Sequence, residues 1–339
     1  MTSRREFLKT SGLGLTGLMA GGLLNGCAAP LKAGGGSTRH PAGSVRVAHL
    51  TDFHVQEPRG GDKGMAMCLR HAQSLRRKPD LILNTGDCVM DVLNHDRAYS
   101  QKLWDLWSRV LNAECSTRIE HCLGNHDHWG WVKERSKTTG NEPGWGKGWA
   151  MDVLGLAKPY HAFDLGAWRI VMLDSVQPAA EGVWESRLDD AQFAWLESEL
   201  AATTAANKPV LIASHVPILS PAVFLDRGRI GGTTTQPAIA VRRCHLDVKK
   251  IGQLFVKHPN VKLCVSGHLH QIDRADYRGV TYMTNPAVCG GWWAGNHVDI
   301  FGEMYTLLDL HADGTFDIDY VDYGWIVQPA PASAPTATA

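Results

Sequence analysis

Short, mostly apolar runs recur along the chain, and each reads as a β-strand. They are Val45 to Leu50, Leu81 to Asn84, Ile119 to Leu123, Trp168 to Leu173, Val210 to Ala213, Val261 to Val265, Thr281 to Thr284 and Tyr305 to Leu310. Several are continuously apolar rather than alternating, the pattern of a strand covered on both faces. Between them lie segments with a helical period: Met65 to Arg77, Ala98 to Asn112, Asp189 to Ala202 and Leu246 to Lys257. In the third, Phe193, Leu196 and Leu200 share one face, and Asp189-Asp190 stands at the positive end of the helix. Strand–helix alternation of this kind predicts an α/β domain. One stretch fits neither period. Trp129 to Ala150 carries Trp129, Trp131, Trp145 and Trp149 among glycines, and reads either as a surface loop pinned by its aromatics or as a wall beside a site. Trp292-Trp293, set between Gly290-Gly291 and Gly295, is a similar late loop.

Both ends of the chain break these patterns. Residues 1–28 open on Ser3-Arg4-Arg5-Glu6-Phe7-Leu8-Lys9, followed by an uncharged, glycine-rich segment from Ser11 to Leu24. That order resembles a twin-arginine export signal, and the segment is too short and glycine-rich to span a membrane. Leu24-Asn25-Gly26-Cys27 is similar to a bacterial lipoprotein cleavage box, which would place a lipid anchor on Cys27; plain cleavage after Ala28 is the alternative. The expected partner is the twin-arginine export machinery. The expected location is the periplasm or the outer side of the membrane. Residues 29–44 form a flexible linker. Residues 45–325 form the folded domain. Residues 326–339, mostly Pro, Ala and Thr, are too poor in apolar side chains to fold.

Charge narrows the partners. Lys plus Arg and Asp plus Glu both number 34, so no basic field favours nucleic acid. Of eight cysteines, Cys68, Cys88, Cys264 and Cys289 lie in apolar or strand-like contexts and read as buried thiols. Cargo that folds in a reducing compartment is not expected to carry a disulfide framework, with Cys115 and Cys122 the pair that could join later. Histidine, at 16, is the informative count, because imidazole is the commonest metal ligand.

The histidines follow the strands. After Leu50 comes Thr51-Asp52-Phe53-His54; after Leu83, Gly86-Asp87; after Leu123, Gly124-Asn125-His126-Asp127; after Ala213, Ser214-His215; after Val265, Gly267-His268-Leu269-His270. Ligand sites of α/β sheets lie beyond the carboxyl ends of strands, so the five clusters can converge. Mixed imidazole and carboxylate donors favour Zn, Mn or Fe over Ca or Mg. On an extended chain, Asp52 and His54 face one side, as do His268 and His270, and each pair can close on an ion. A glycine before a ligand lets the backbone come close. Singly these signals are weak: a lone Gly-Asp is usually a turn, and His215 before Val216-Pro217 suits a core histidine. In order and at five strand ends, they point to one metal site.

The set Asp52-x-His54, Gly86-Asp87, Gly124-Asn125-His126-Asp127, His215 and Gly267-His268-x-His270 resembles the calcineurin-like metallophosphoesterases across roughly residues 45–310. The resemblance implies a four-layer α/β/β/α sandwich of two mixed β-sheets flanked by helices. It implies two divalent metal ions, Mn, Fe or Zn. One would be held by Asp52, His54 and His270, the other by Asn125, His215 and His268, with Asp87 bridging. It further implies that His126, oriented by Asp127, assists catalysis without binding metal, and that a hydroxide held between the metals attacks phosphorus. Met90 stands where purple acid phosphatases carry a metal-binding tyrosine. Cys88-Val89-Met90-Asp91 lacks the arginine of the protein phosphatases, and no length remains for the second domain of the nucleotidases. The implied activity is hydrolysis of a phosphodiester or a small organophosphate monoester. The alternative is a non-catalytic scaffold of the same fold, which has little reason to keep every ligand and His126.

The export reading has a direct test. Replacing Arg4→Lys and Arg5→Lys together is expected to hold the precursor in the cytoplasm, as followed by fractionation; unchanged export would refute it.

Overall fold

The computed structural model describes residues 43–179, 184–224, 230–232, 237–239, 242–298 and 300–329. The export signal, the lipoprotein box, nearly all of the linker and the tail beyond residue 329 lie outside the described residues. Two large sheets carry the fold. The first is built from β1 (Val45–Leu50), β2 (Leu81–Asn84) and β3 (Ile119–His121), which run parallel. The second takes β4 (His161–Leu165), β5 (Trp168–Leu173), β6 (Val210–Ser214), β7 (Val261–Ser266), β8 (Asp273–Tyr277) and β9 (Val280–Thr284) in the order β8-β9-β7-β6-β5-β4. There β5, β6, β7 and β9 are parallel, and β4 and β8 are antiparallel edges. Then β10 (Met304–Leu310) and β11 (Phe316–Asp322) return to the first sheet, in the order β11-β10-β1-β2-β3, both antiparallel to their neighbours.

The continuous apolar runs are explained by what covers each face. Val47, Leu81, Leu83, Leu308 and Leu310 of the first sheet meet Ile170, Met172, Leu211, Ala213, Leu263 and Val265 of the second in one buried seam. The alternate residues Ala48, Leu50 and Ile82 face outward onto α1 (Gly61–Ser74) and α2 (Arg97–Glu114). On the far side, Val171, Leu173, Val210, Ile212 and Cys264 pack on α3 (Asp190–Ala205) and α4 (Val248–Lys257). The layers are therefore α/β/β/α, as expected. Period-two alternation persists within each strand, but both faces are apolar. Phe193, Leu196 and Leu200 do form the buried face of α3, and Asp189 caps that helix by accepting from Gln192 N at 2.7 Å.

Within the two large sheets, the strands absent from the sequence reading, β4, β8 and β11, are all at sheet edges. Their partly exposed, charged residues lack an apolar run. Helix α1 begins at Gly61 rather than Met65, because its glycines serve packing. A Cβ at Gly64 would stand 2.1 Å from the ring of Trp293, which lies fully buried across the helix. The tryptophan-rich stretch is pinned on itself: Trp129 meets Trp149 edge-on at 5.2 Å, and Trp129 and Gly146 exchange backbone bonds of 2.9 and 2.8 Å. Cys115 and Cys122 are free thiols. Cys122 is turned into the seam, with its Sγ 3.6 Å from the Ala213 carbonyl.

Candidate metal centre

The carboxyl ends of β1, β2, β6 and β7 open on one rim, and the polar clusters sit in the turns just beyond. The pairs Asp52/His54 and His268/His270 are not on extended chain as expected. Asp52, His54, Asp87, His268 and His270 all have positive φ, between 41° and 67°. The turns are held by backbone bonds instead: Asp52 N to Gly86 O and His54 N to Asp87 O, both 3.0 Å. The glycines permit close approach. A Cβ on Gly124 would lie 2.2 Å from Asp87 N, and one on Gly267 would lie 2.1 Å from Asp52 Oδ2.

All seven side chains read as metal ligands meet here, and the five clusters form one site. Asp87 Oδ2 is 3.4 Å from His54 Nε2 and 3.3 Å from His215 Nε2. Asp52 Oδ1 is 3.2 Å from His270 Nε2, and Asn125 Oδ1 is 3.1 Å from His215 Nε2. His268 groups with Asp87 and His215, their ligand atoms within 4.8 Å of one another.

The hydrogen-bond partners fix which nitrogens are available. His54 Nδ1 faces Met90 O at 3.3 Å, His270 Nδ1 faces Gly290 O at 2.7 Å, and His215 Nδ1 faces Thr85 O at 2.9 Å. A carbonyl only accepts, so each Nδ1 carries the hydrogen and each Nε2 presents a lone pair inward. His268 is reversed: its Nε2 donates to Arg242 O at 2.7 Å, which leaves Nδ1. Thus His54 Nε2 and His270 Nε2, 3.2 Å apart, point lone pairs at each other. Neutral imidazoles in these tautomers cannot bond so; a shared proton or a metal ion between them can. The donor set therefore fits divalent metal.

The electrostatics agree. Burial works against charge on His215, yet the carboxylates of Asp87, Asp52 and Asp127 together outweigh it and lift His215 to about 9. Burial likewise opposes charge on His270, and the Asp52 carboxylate 3.2 Å from its Nε2 raises it nonetheless. Burial holds His54 down to about 3, so it stays neutral. The carboxylates thus draw positive charge into the cluster, either as protons on His215 and His270 or as a divalent ion that takes their place at the Nε2 atoms.

His126 and Asp127 part company. The His126 ring stands edge-on to His54, with centroids 4.8 Å apart, at the cleft wall. Its nearest acid is Asp91, 3.9 Å from Nδ1. Asp127 does not orient it. The Asp127 carboxylate is fully buried and accepts backbone N–H bonds from Gly124 (2.8 Å), Asp87 (2.9 Å) and Cys88 (2.9 Å). Burial and the Asp87 charge push it up to about 7, while these donors favour its anion. Its position three residues after Gly124 gives it reach back over its own turn, which it caps. Cys289 was read as a buried thiol only; its Sγ lies 3.8 Å from His270 Nδ1, behind the ring. Burial raises its pKa, which keeps it a thiol. Above the centre lies a cleft of about 400 Å³ whose walls include Trp184, Arg242, Arg243, Trp292 and His297.

A family model described as calcineurin-like phosphoesterase matches residues 45–272. The chain belongs to the calcineurin-like phosphoesterase family. It is accordingly a hydrolase of phosphoesters with a candidate metal-binding cluster at its active rim. It is similar to a 3',5'-cyclic-nucleotide phosphodiesterase of Nostoc sp., 28% identical over 302 residues, covering 84% of this chain and 96% of that protein. It is also similar to a 3',5'-cyclic adenosine monophosphate phosphodiesterase of Vibrio vulnificus, 25% identical over 310 residues, covering 83% and 96%. In fold it resembles a dimetal phosphatase from Danio rerio, with a TM-score of 0.53 and 15% identity over 79% of this chain and 93% of that one.

The framework role of Asp127 predicts a stability defect. Asp127→Ala strands buried N–H groups that cost about 1–3 kcal/mol each. Water entering the space offsets part of this, so chemical denaturation should show a loss of roughly 2–4 kcal/mol. Unchanged stability would contradict the role.

Proposed function

We propose that this chain hydrolyses phosphodiesters at a two-metal centre, with 3',5'-cyclic nucleotides as the substrate class. The observation that carries the two-metal reading is Asp87, whose Oδ2 stands almost equally far from His54 Nε2 and His215 Nε2, at 3.4 and 3.3 Å. Asp52, His54 and His270 would hold one divalent ion, and Asn125, His215 and His268 the other, with Asp87 shared. Such ions, Mn, Fe or Zn, would supply Lewis acidity and a water of lowered pKa. The substrate class is supported by the names of the relatives and by a cleft roomy enough for a nucleotide.

The chain's own groups supply the rest. Asp87 is held by the His126 backbone N–H, which donates to its Oδ1 at 2.8 Å and leaves Oδ2 turned inward. The His126 ring, part-exposed at the wall with its Nδ1 3.9 Å from Asp91 Oδ1, is placed to protonate the leaving oxygen. The Arg4-Arg5 signal supports action outside the cytoplasm.

Two experiments separate the parts of this reading. Elemental analysis should approach about two divalent ions per chain. Asp87→Ala should deplete both positions, whereas His54→Ala should mainly weaken one; a doubly loaded Asp87 variant would count against bridging. His126→Ala should keep metal and fold but lose turnover by about 10²–10⁴-fold. The loss should be greater for alkyl esters, whose alkoxide needs a proton, than for nitrophenyl esters. Equal losses would make His126 an electrostatic stabiliser, and a variant stripped of metal would refute the assignment.

A further inference from the structure

One wall of the cleft is built in a way that the phosphoryl chemistry does not require. Trp292 and Trp293 follow one another with φ of 55° and 64°, a left-handed backbone that bulky residues avoid unless their surroundings hold it. Trp293 supplies the hold. It is fully buried, it fills the space left by Gly64, and its Nε1 donates to His54 O at 3.0 Å. Further ties close the loop: Gly291 N to Gly295 O and His297 N to Phe301 O, each 2.7 Å. The outcome of this construction is the placement of Trp292. Its half-buried indole borders the cleft beside the metal centre, 4.7 Å from the His270 ring at 37° and 5.4 Å from the His297 ring at 80°. The other tryptophan of the cleft is differently used. Trp184 is buried, edge-on to His268 at 5.8 Å, and the Arg242 guanidinium covers its ring at 5.3 Å.

We propose that Trp292 is a stacking platform for the flat nucleobase carried by the substrate's nucleoside ester group, and is the specificity-determining residue of this site. The proposal rests on the phosphodiesterase reading for its substrate class. A phosphoryl group at the centre leaves its ester groups to run along the walls, and an indole face anchored beside His270 offers apolar, polarisable surface where a base needs it. Stacking accepts any base, so the platform selects for a base over none and discriminates poorly between adenine and guanine.

The test is binding, measured by calorimetry on the Mn-loaded protein with adenosine 5'-monophosphate and ribose 5-phosphate, which differ by the base. The wild-type protein should bind the nucleotide more tightly. Trp292→Ala should weaken the nucleotide by about 10–100-fold, the scale of one base–aromatic stack, and narrow the gap to ribose 5-phosphate. Trp292→Phe should restore most of the gap. If the wild-type protein binds both compounds equally, or if Trp292→Ala keeps the gap, the platform does not exist. If the variant loses both ligands equally together with its metal, Trp292 is a prop for His270 instead. A wild-type protein that shows the base-dependent gap but turns over no phosphodiester would sink the phosphodiesterase reading and leave the platform standing.

Discussion

His54 Nε2 and His270 Nε2 face each other across 3.2 Å, each with its hydrogen committed on the opposite nitrogen to a backbone carbonyl. That contact is repulsive between two neutral rings and favourable only with a proton or a metal ion between them. The packing of the two sheets brings it about. His54 follows the first sheet and His270 follows the second, so the donors meet only if the two sheets hold a fixed offset. The buried seam of Val47, Leu83 and Leu308 against Met172, Leu211 and Leu263 sets that offset. Close-packed interiors resist sub-ångström shifts, which is the tolerance a metal site needs. The core is thus part of the site's geometry as well as of its stability.

The layer of bonds behind the donors is as constrained as the donors. Four carbonyls, of Met90, Gly290, Thr85 and Arg242, each select one tautomer of one histidine. Asp52 is held by a directed chain. His49 Nε2 meets Thr85 Oγ1 at 2.8 Å, Thr85 Oγ1 donates to Thr51 Oγ1 at 2.7 Å, and Thr51 Oγ1 donates to Asp52 Oδ2 at 2.7 Å. Burial keeps His49 down to about 3, so the chain begins at a neutral ring. A buried network satisfied in this way has one arrangement, and it leaves the inward oxygen of Asp52 as an acceptor.

Much of this was legible in the sequence, for identifiable reasons. The strand runs were readable because both faces of a strand such as Val210–Ser214 are covered, which makes it apolar up to its last residue. Edge strands such as Asp273–Tyr277 were not, because partial exposure removes that signal. The clusters were readable because polar residues after a buried run have no packing reason to be there. Their local geometry was not. Two-residue spacing suggested an extended chain, whereas Asp52 and His54 reach the site from left-handed turns. The role of Asp127 was also hidden, since a carboxylate beside a histidine in sequence need not touch its ring. Here its oxygens close the turn that carries Asp87.

The left-handed turns bear on how the site is sustained. Of the twelve non-glycine residues with positive φ among those described, seven are Asp52, His54, Asp87, His268, His270, Trp292 and Trp293. Each costs on the order of 1 kcal/mol or more in an L-residue, so several kcal/mol of backbone strain are gathered in one region. Hydrogen bonds from neighbouring turns offset part of it, as with Asp52 N to Gly86 O. The remainder must be offset by what the strained backbone accomplishes. Left-handed turns let short segments aim successive side chains inward, so that three such turns place five of the seven donors in a space that regular strand or helix geometry could not fill. Because ligand binding by a formed site adds to folding free energy, a metal-binding cluster is a place where such strain can be held. The tryptophan pair obeys the same logic without being a ligand. Its strain is held by Trp293 in the groove over Gly64, and the position it makes possible is that of Trp292 beside His270.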